Sequence, residues 1–84
     1  MITVKYFSTQ NCGPCKMFGP VFDQVMSETK VNYKKIDAQV MTEAADQYNI
    51  TSVPTLIFER DGSIIYRHTG VMSRNQLINI IDSL

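Results

Sequence analysis

Nothing in these 84 residues approaches the run of roughly 18 apolar residues that a membrane-spanning helix needs. An excess of either charge is also missing. Eight Lys and Arg offset eight Asp and Glu, and Lys34-Lys35 is the longest like-charged run. That removes the basic patch by which nucleic-acid binders are recognised. Two cysteines are too few for a disulfide scaffold, which typically uses about four to eight. Together with a single histidine, His68, they cannot complete a tetrahedral zinc set. A charged-then-apolar leader is absent from the N-terminus as well. With 44% hydrophobic and 19% charged residues, the composition is that of an ordinary globular chain. The expectation is one cytoplasmic, monomeric domain spanning residues 1–84, with neither nucleic acid nor membrane as partner.

What is present reads as alternating strands and helices. Ile2 to Phe7 alternates Ile2, Val4 and Tyr6 with Thr3, Lys5 and Phe7, as a strand does. Ser8 to Asn11 interrupts it with residues that favour turns and helix caps. From Cys15 onward the apolar pairs Met17/Phe18, Val21/Phe22 and Val25/Met26 recur every four residues, a helical stripe. Pro20 lies inside that stripe and is expected to kink the helix without ending it. Val31 to Asp37 then reads as a second strand, parallel to the first across the helix.

Thr42 to Tyr48 is a short helix with Ala44, Ala45 and Tyr48 inward and Asn49 as its stop. Thr55 to Glu59 and Ile64 to Thr69 flank Arg60-Asp61-Gly62-Ser63, whose Asp-Gly pair signals an antiparallel hairpin. Ser73-Arg74-Asn75-Gln76 has the form of a capping box and opens a last helix with Leu77, Ile78, Ile81 and Leu84 inward.

The chemistry concentrates in Cys12-Gly13-Pro14-Cys15. Cysteines three apart at a helix opening share a face and lie within bridging distance. Cys12 falls at the helix N-terminus, where unpaired N–H groups and the helix dipole favour an anion, hence the nucleophilic thiolate. Pro14 sits in the first turn, where its missing N–H costs nothing, and Gly13 leaves room for an approaching backbone. A haem attachment would need histidine after Cys15, where Lys16 stands. Redox exchange is therefore favoured over metal binding or inert packing, and no cofactor is implied. His68 reads as a residue on an exposed strand. Met17, Met26 and Met41 read as core gap-fillers, and Met72 as a lesser candidate for the rim of a groove.

Cys12-Gly13-Pro14-Cys15-Lys16-Met17 with Pro20 resembles the active-site segment of the thioredoxin family. Tyr48 to Thr55, containing Val53-Pro54-Thr55, the Asp-Gly hairpin and Gly70 extend the resemblance from Val4 to Leu84. It implies an α/β minimal thioredoxin fold: a four-stranded mixed sheet of order 2-1-3-4 with three helices, lacking the family's N-terminal β-α unit. The last two strands are expected antiparallel to the first two. One sheet face would then be covered by a single short helix, leaving Thr3 and Lys5 tolerated there. The resemblance also implies a cis Val53-Pro54 bond facing the cysteines. Cys12 would attack and Cys15 resolve, with Asn11, Gly13, Pro14, Val53, Pro54 and Gly70 forming the redox motif and substrate groove.

Departures from the family's pattern are specific. Its tryptophan before the first cysteine is Asn11 here, its buried aspartate falls at Tyr6, and its buried lysine at Tyr33. Tyrosine, with a pKa of about 10, is a poor base at neutral pH, so Tyr6 is a possible modulator of Cys15 without being its proton acceptor. The implied activity is reduction of protein disulfides, with an external flavoprotein reductase as electron donor. A glutathione-dependent, glutaredoxin-like reductase is the alternative, disfavoured by Gly70-Val71-Met72-Ser73 where glutaredoxins carry a Gly-Gly and acidic pattern. A non-catalytic binding subunit is the other, disfavoured by the intact cysteine pair.

Overall fold

In a computed structural model that describes every residue from Met1 to Leu84, the alternating segment at the start becomes β1, Ile2–Ser8. Its two side-chain rows separate cleanly, as the two-residue period of a strand requires. Val4 and Tyr6 face one cluster of buried residues, and Phe7 belongs to a second on the opposite face. β1 is followed by α1 (Gly13–Thr29), β2 (Asn32–Asp37), α2 (Thr42–Gln47), β3 (Thr55–Arg60), β4 (Ser63–Thr69) and α3 (Arg74–Ser83). The sheet order is β2-β1-β3-β4.

β1 and β2 pair in parallel, β1 and β3 antiparallel, and β3 and β4 antiparallel. Only β3 therefore runs against the first two strands. β4 returns along their direction, which corrects the expectation that both would oppose them. A two-residue hairpin reverses the chain once more, so two antiparallel pairings in series restore the direction. Its turn residues, Asp61 and Gly62, both have positive φ, at 52° and 84°. That conformation suits the twist of the flanking strands and is what the Asp-Gly pair supplies.

α1 runs unbroken through Pro20. Proline leaves the Lys16 carbonyl without its usual donor, but the face on either side is anchored by Phe18, Phe22, Val25 and Met26, each at most 2% exposed. Burying a phenylalanine side chain contributes about 1.5–3 kcal/mol, comparable to the proline penalty, so packing decides. Phe18 meets Tyr6 edge-on and Phe22 meets it tilted, at centroid distances of 5.7 and 4.7 Å. α3 packs on the same side through Leu77, and its start carries the capping box: Ser73 Oγ accepts from the Gln76 N–H while Gln76 Oε1 accepts from the Ser73 N–H.

α2 is the helix on the other face, with Ala45 and its capping Tyr48 buried and Asn49 ending it at a φ of 54°. Lys5 lies on this face and is not left to solvent: it meets Glu59 and Tyr48. Two methionines expected in the core are outside it. Met17 is 78% and Met41 54% exposed, while Met26 alone of the three is buried. Met17 falls one position off the α1 stripe, and Met41 precedes the first turn of α2. Tyr33 is not a buried position either. It is 46% exposed on β2, whose only strand partner is β1, and it packs edge-on against Phe22.

Candidate functional site: a cysteine pair at the head of a helix

The end of β1 delivers the chain through Ser8 to Asn11 into α1, and Cys12 is the residue that caps that helix. Its backbone is still extended, with φ −95° and ψ 108°, so its side chain turns back over the first turn. Cys12 Sγ accepts the Cys15 N–H at 3.1 Å. It thus takes the place of the oxygen by which serine or aspartate usually caps a helix. Pro14 occupies the first turn, where a free N–H would have been redundant. Cys12 and Cys15 are joined as a disulfide, with Cα atoms 5.2 Å apart. Both are nearly covered, Cys12 at 9% and Cys15 at 5% exposure, so the difference in access between them is small. Asn11, Gly13 and Pro14 are exposed around the pair.

The second wall comes from the segment before β3. The Val53-Pro54 bond is cis, and the Val53 carbonyl oxygen lies 3.7 Å from Cys12 Sγ. While the disulfide is intact that approach is a contact; a reduced Cys12 thiol has a proton to donate there. Thr55, 1% exposed, holds this segment by donating its hydroxyl to the Ser52 carbonyl at 2.7 Å. The Gly70 N–H donates to the Pro54 carbonyl at 2.8 Å, tying the turn after β4 to the same wall. Gly70 has a φ of 100°, which is the reason for glycine there, since a Cβ would meet no atom within 4 Å. Met72 does not rim this wall. At 7% exposure it is part of the core under α1 and α3.

Behind the pair stands Tyr6, 3% exposed, whose hydroxyl donates to the Cys15 carbonyl at 3.2 Å. Burial, aided by the negative charge of Asp23, holds the phenol above its ordinary value, so it is a neutral donor at neutral pH. His68 is half-buried rather than exposed, with Nε2 3.3 Å from the Val71 carbonyl.

A polar cluster that the sequence reading did not assemble lies on the α2 face. Lys5 Nζ is 2.9 Å from Glu59 Oε1 and also donates to the Tyr48 hydroxyl, which in turn donates to Glu59 Oε2 at 2.7 Å. The only signal for it was the charged Lys5 and Glu59 among the apolar residues of β1 and β3. Burial pushes the Glu59 carboxyl up, but the hydrogen bonds from Tyr48 and Lys5 and the charges of Lys5 and Lys34 outweigh it, leaving the carboxyl below its ordinary value. The hydrogen bonds to Tyr48 and Glu59 hold the Lys5 ammonium above its own.

No helix is long and apolar enough to cross a membrane. The thioredoxin family model matches residues 1–83. The chain is 35% identical to a thioredoxin of Mycoplasmoides gallisepticum over 71 residues, covering 83% of this chain and 71% of that one. It is 34% identical to a thioredoxin of Chlamydia trachomatis over 82 residues, covering 96% and 79%. Among solved structures, Fasciola hepatica thioredoxin superposes with a TM-score of 0.90 at 31% identity, over 98% of this chain and 79% of that one. A point mutant of Halobacterium salinarum thioredoxin gives 0.92 at 29%, over 98% and 73%. In this chain a helix-capping cysteine is bonded to the cysteine one turn on, on a fold shared with these thioredoxins. The chain belongs to the thioredoxin family and is a thiol–disulfide oxidoreductase, with Cys12 and Cys15 as its redox pair.

Proposed function

We propose that residues 1–84 act as a single, monomeric domain that reduces protein disulfides in the cytoplasm, with Cys12 attacking and Cys15 resolving. The observation that carries the assignment of roles is the cap: Cys12 Sγ receives the Cys15 N–H at the positive end of a 17-residue helix. That environment favours a thiolate on Cys12 once the pair is reduced.

The Cys12 thiolate attacks one sulfur of the substrate; a Cys12–substrate disulfide forms, the substrate S–S bond breaks and the first substrate thiolate leaves. Cys15 then attacks Cys12 Sγ, closing the Cys12–Cys15 disulfide and releasing the second substrate thiolate. Two electrons pass to the substrate, and both departing thiolates end protonated. Tyr6, neutral and already donating to the Cys15 carbonyl, modulates Cys15 without accepting its proton. That proton goes to water or to the departing thiolate.

Asn11, Gly13, Pro14, Val53, Pro54 and Gly70 form the groove for an extended substrate segment. Supporting this are the 3.7 Å approach of the Val53 carbonyl to Cys12 and the Gly70–Pro54 hydrogen bond. An external flavoprotein thioredoxin reductase returns the two electrons. The test is reduction of insulin by the purified protein with such a reductase and NADPH, against glutathione with glutathione reductase. Turnover only with glutathione overturns the proposal.

A further inference from the structure

His68 is the one histidine of the chain, and the exchange chemistry makes no use of it. It lies near the end of β4, opposite Leu56 of β3, close to the turn that Gly70 opens. A carbonyl oxygen only accepts, so the 3.3 Å approach of Nε2 to the Val71 oxygen requires the proton on Nε2. The Nε2–H neutral tautomer and the doubly protonated ring both supply it.

Val71 is where such a hold matters. On one side Gly70 is fixed by its N–H to the Pro54 carbonyl, and on the other Met72 is packed into the core. Between these anchors Val71 is 52% exposed. Its main chain makes no backbone hydrogen bond, and the His68 ring is the polar group that holds it.

We propose that His68 is a positioning residue for protein substrates. By holding the Val71 carbonyl it fixes Gly70 and Val71, ahead of the core anchor Met72, as one wall of the groove beside Cys12. It thereby sets affinity for an extended polypeptide disulfide and takes no part in sulfur exchange. The proposal rests on the reading of Val53, Pro54 and Gly70 as that groove. A small aryl disulfide reaches Cys12 without spanning the groove and does not need the wall.

The test is single-turnover oxidation of the pre-reduced protein by insulin and, separately, by dithiobis(nitrobenzoate), read by rapid-quench alkylation and mass spectrometry. His68→Leu should raise the half-saturation concentration for insulin about 3- to 10-fold, the worth of one net hydrogen bond. The limiting rate and the aryl disulfide rate should stay unchanged. His68→Gln, which keeps an N–H donor, should recover most of the loss, and His68→Ala should behave as His68→Leu. An equal change with both disulfides, or no recovery with His68→Gln, overturns the proposal. Gly70→Val separates the two readings. If it raises the insulin constant while His68→Leu does not, the groove stands and the role of His68 falls. If neither variant changes it, both fall.

Discussion

Tyr6 on β1 donates its phenolic proton to the main-chain oxygen of Cys15 on α1, linking the redox strand to the first turn of the redox helix. The ring beneath that hydroxyl is packed against Phe18 and Phe22, so strand, helix and Cys15 are held by one side chain. The family resemblance implies a buried carboxylate at this position; the phenol that stands there is a neutral hydrogen-bond donor at neutral pH.

Tyr6→Phe keeps the ring packing and deletes one hydrogen bond. It should lower stability by about 0.5–1.5 kcal/mol, read as a shift in the urea midpoint at constant slope. Tyr6→Asp should cost more, on the order of 3–5 kcal/mol, by opening core volume and burying a charge. It should also add a titration step. Burial raises a carboxyl, so the folded state binds its proton more tightly than the unfolded chain does, and stability falls as pH rises through that step. NMR titration of the reduced proteins checks both. A carboxylate-like step already present beside Cys15 in the wild type, and unmoved by Tyr6→Phe, would contradict this account.

Replacing each cysteine separates their roles. Cys15→Ser should accumulate a covalent adduct through Cys12 when mixed with a disulfide substrate, and Cys12→Ser should form none. Intact-mass spectrometry with peptide mapping locates the bond. Trapping on Cys15 in the Cys12→Ser protein, at the rate seen for its counterpart, would reverse the assignment.

The Lys5–Tyr48–Glu59 cluster should appear in the pH dependence of stability. The Glu59 carboxyl lies below its ordinary value of 4.5 in the folded chain. The stabilisation it provides is therefore complete above that value and is lost as pH falls through the folded one. Lys5 is displaced upward from 10.5, so its share persists through neutral pH and is lost as pH rises through its folded value. Glu59→Gln should flatten the acid limb of a plot of unfolding free energy against pH. It should also cost about 1.5–3 kcal/mol at neutral pH, the worth of hydrogen bonds to charged groups. An acid limb unchanged by the substitution would place the acid sensitivity elsewhere.

Ser73→Ala removes the hydroxyl that accepts the Gln76 N–H at the start of α3. A loss of about 1 kcal/mol is expected, with Gln76→Ala adding less than its separate effect because the two side chains form one reciprocal cap. A double-mutant cycle in urea measures that coupling, and strict additivity would show that the cap does not act as a unit.

Local chemistry was readable directly from the chain. Cys12-Gly13-Pro14-Cys15, the Asp61-Gly62 turn and the Ser73–Gln76 box each act over a few residues. Their conformational demands are met by the side chains within the motif itself, so composition and spacing sufficed. The alternation of Val4 and Tyr6 against Phe7 likewise assigned β1 its two faces, because a strand has only two. What tertiary structure alone decided concerns partners distant in sequence. Lys5, Tyr48 and Glu59 meet only because β1 and β3 are neighbours and α2 lies over them, and no local pattern records that three polar groups will satisfy one another. Met72 looked like a groove residue by its place after Gly70, yet the turn directs it into the core. The direction of β4, the cover over Cys12 and the hold of His68 on Val71 have the same origin. Each depends on where a second segment comes to rest, which burial of the whole apolar surface determines and no single motif encodes.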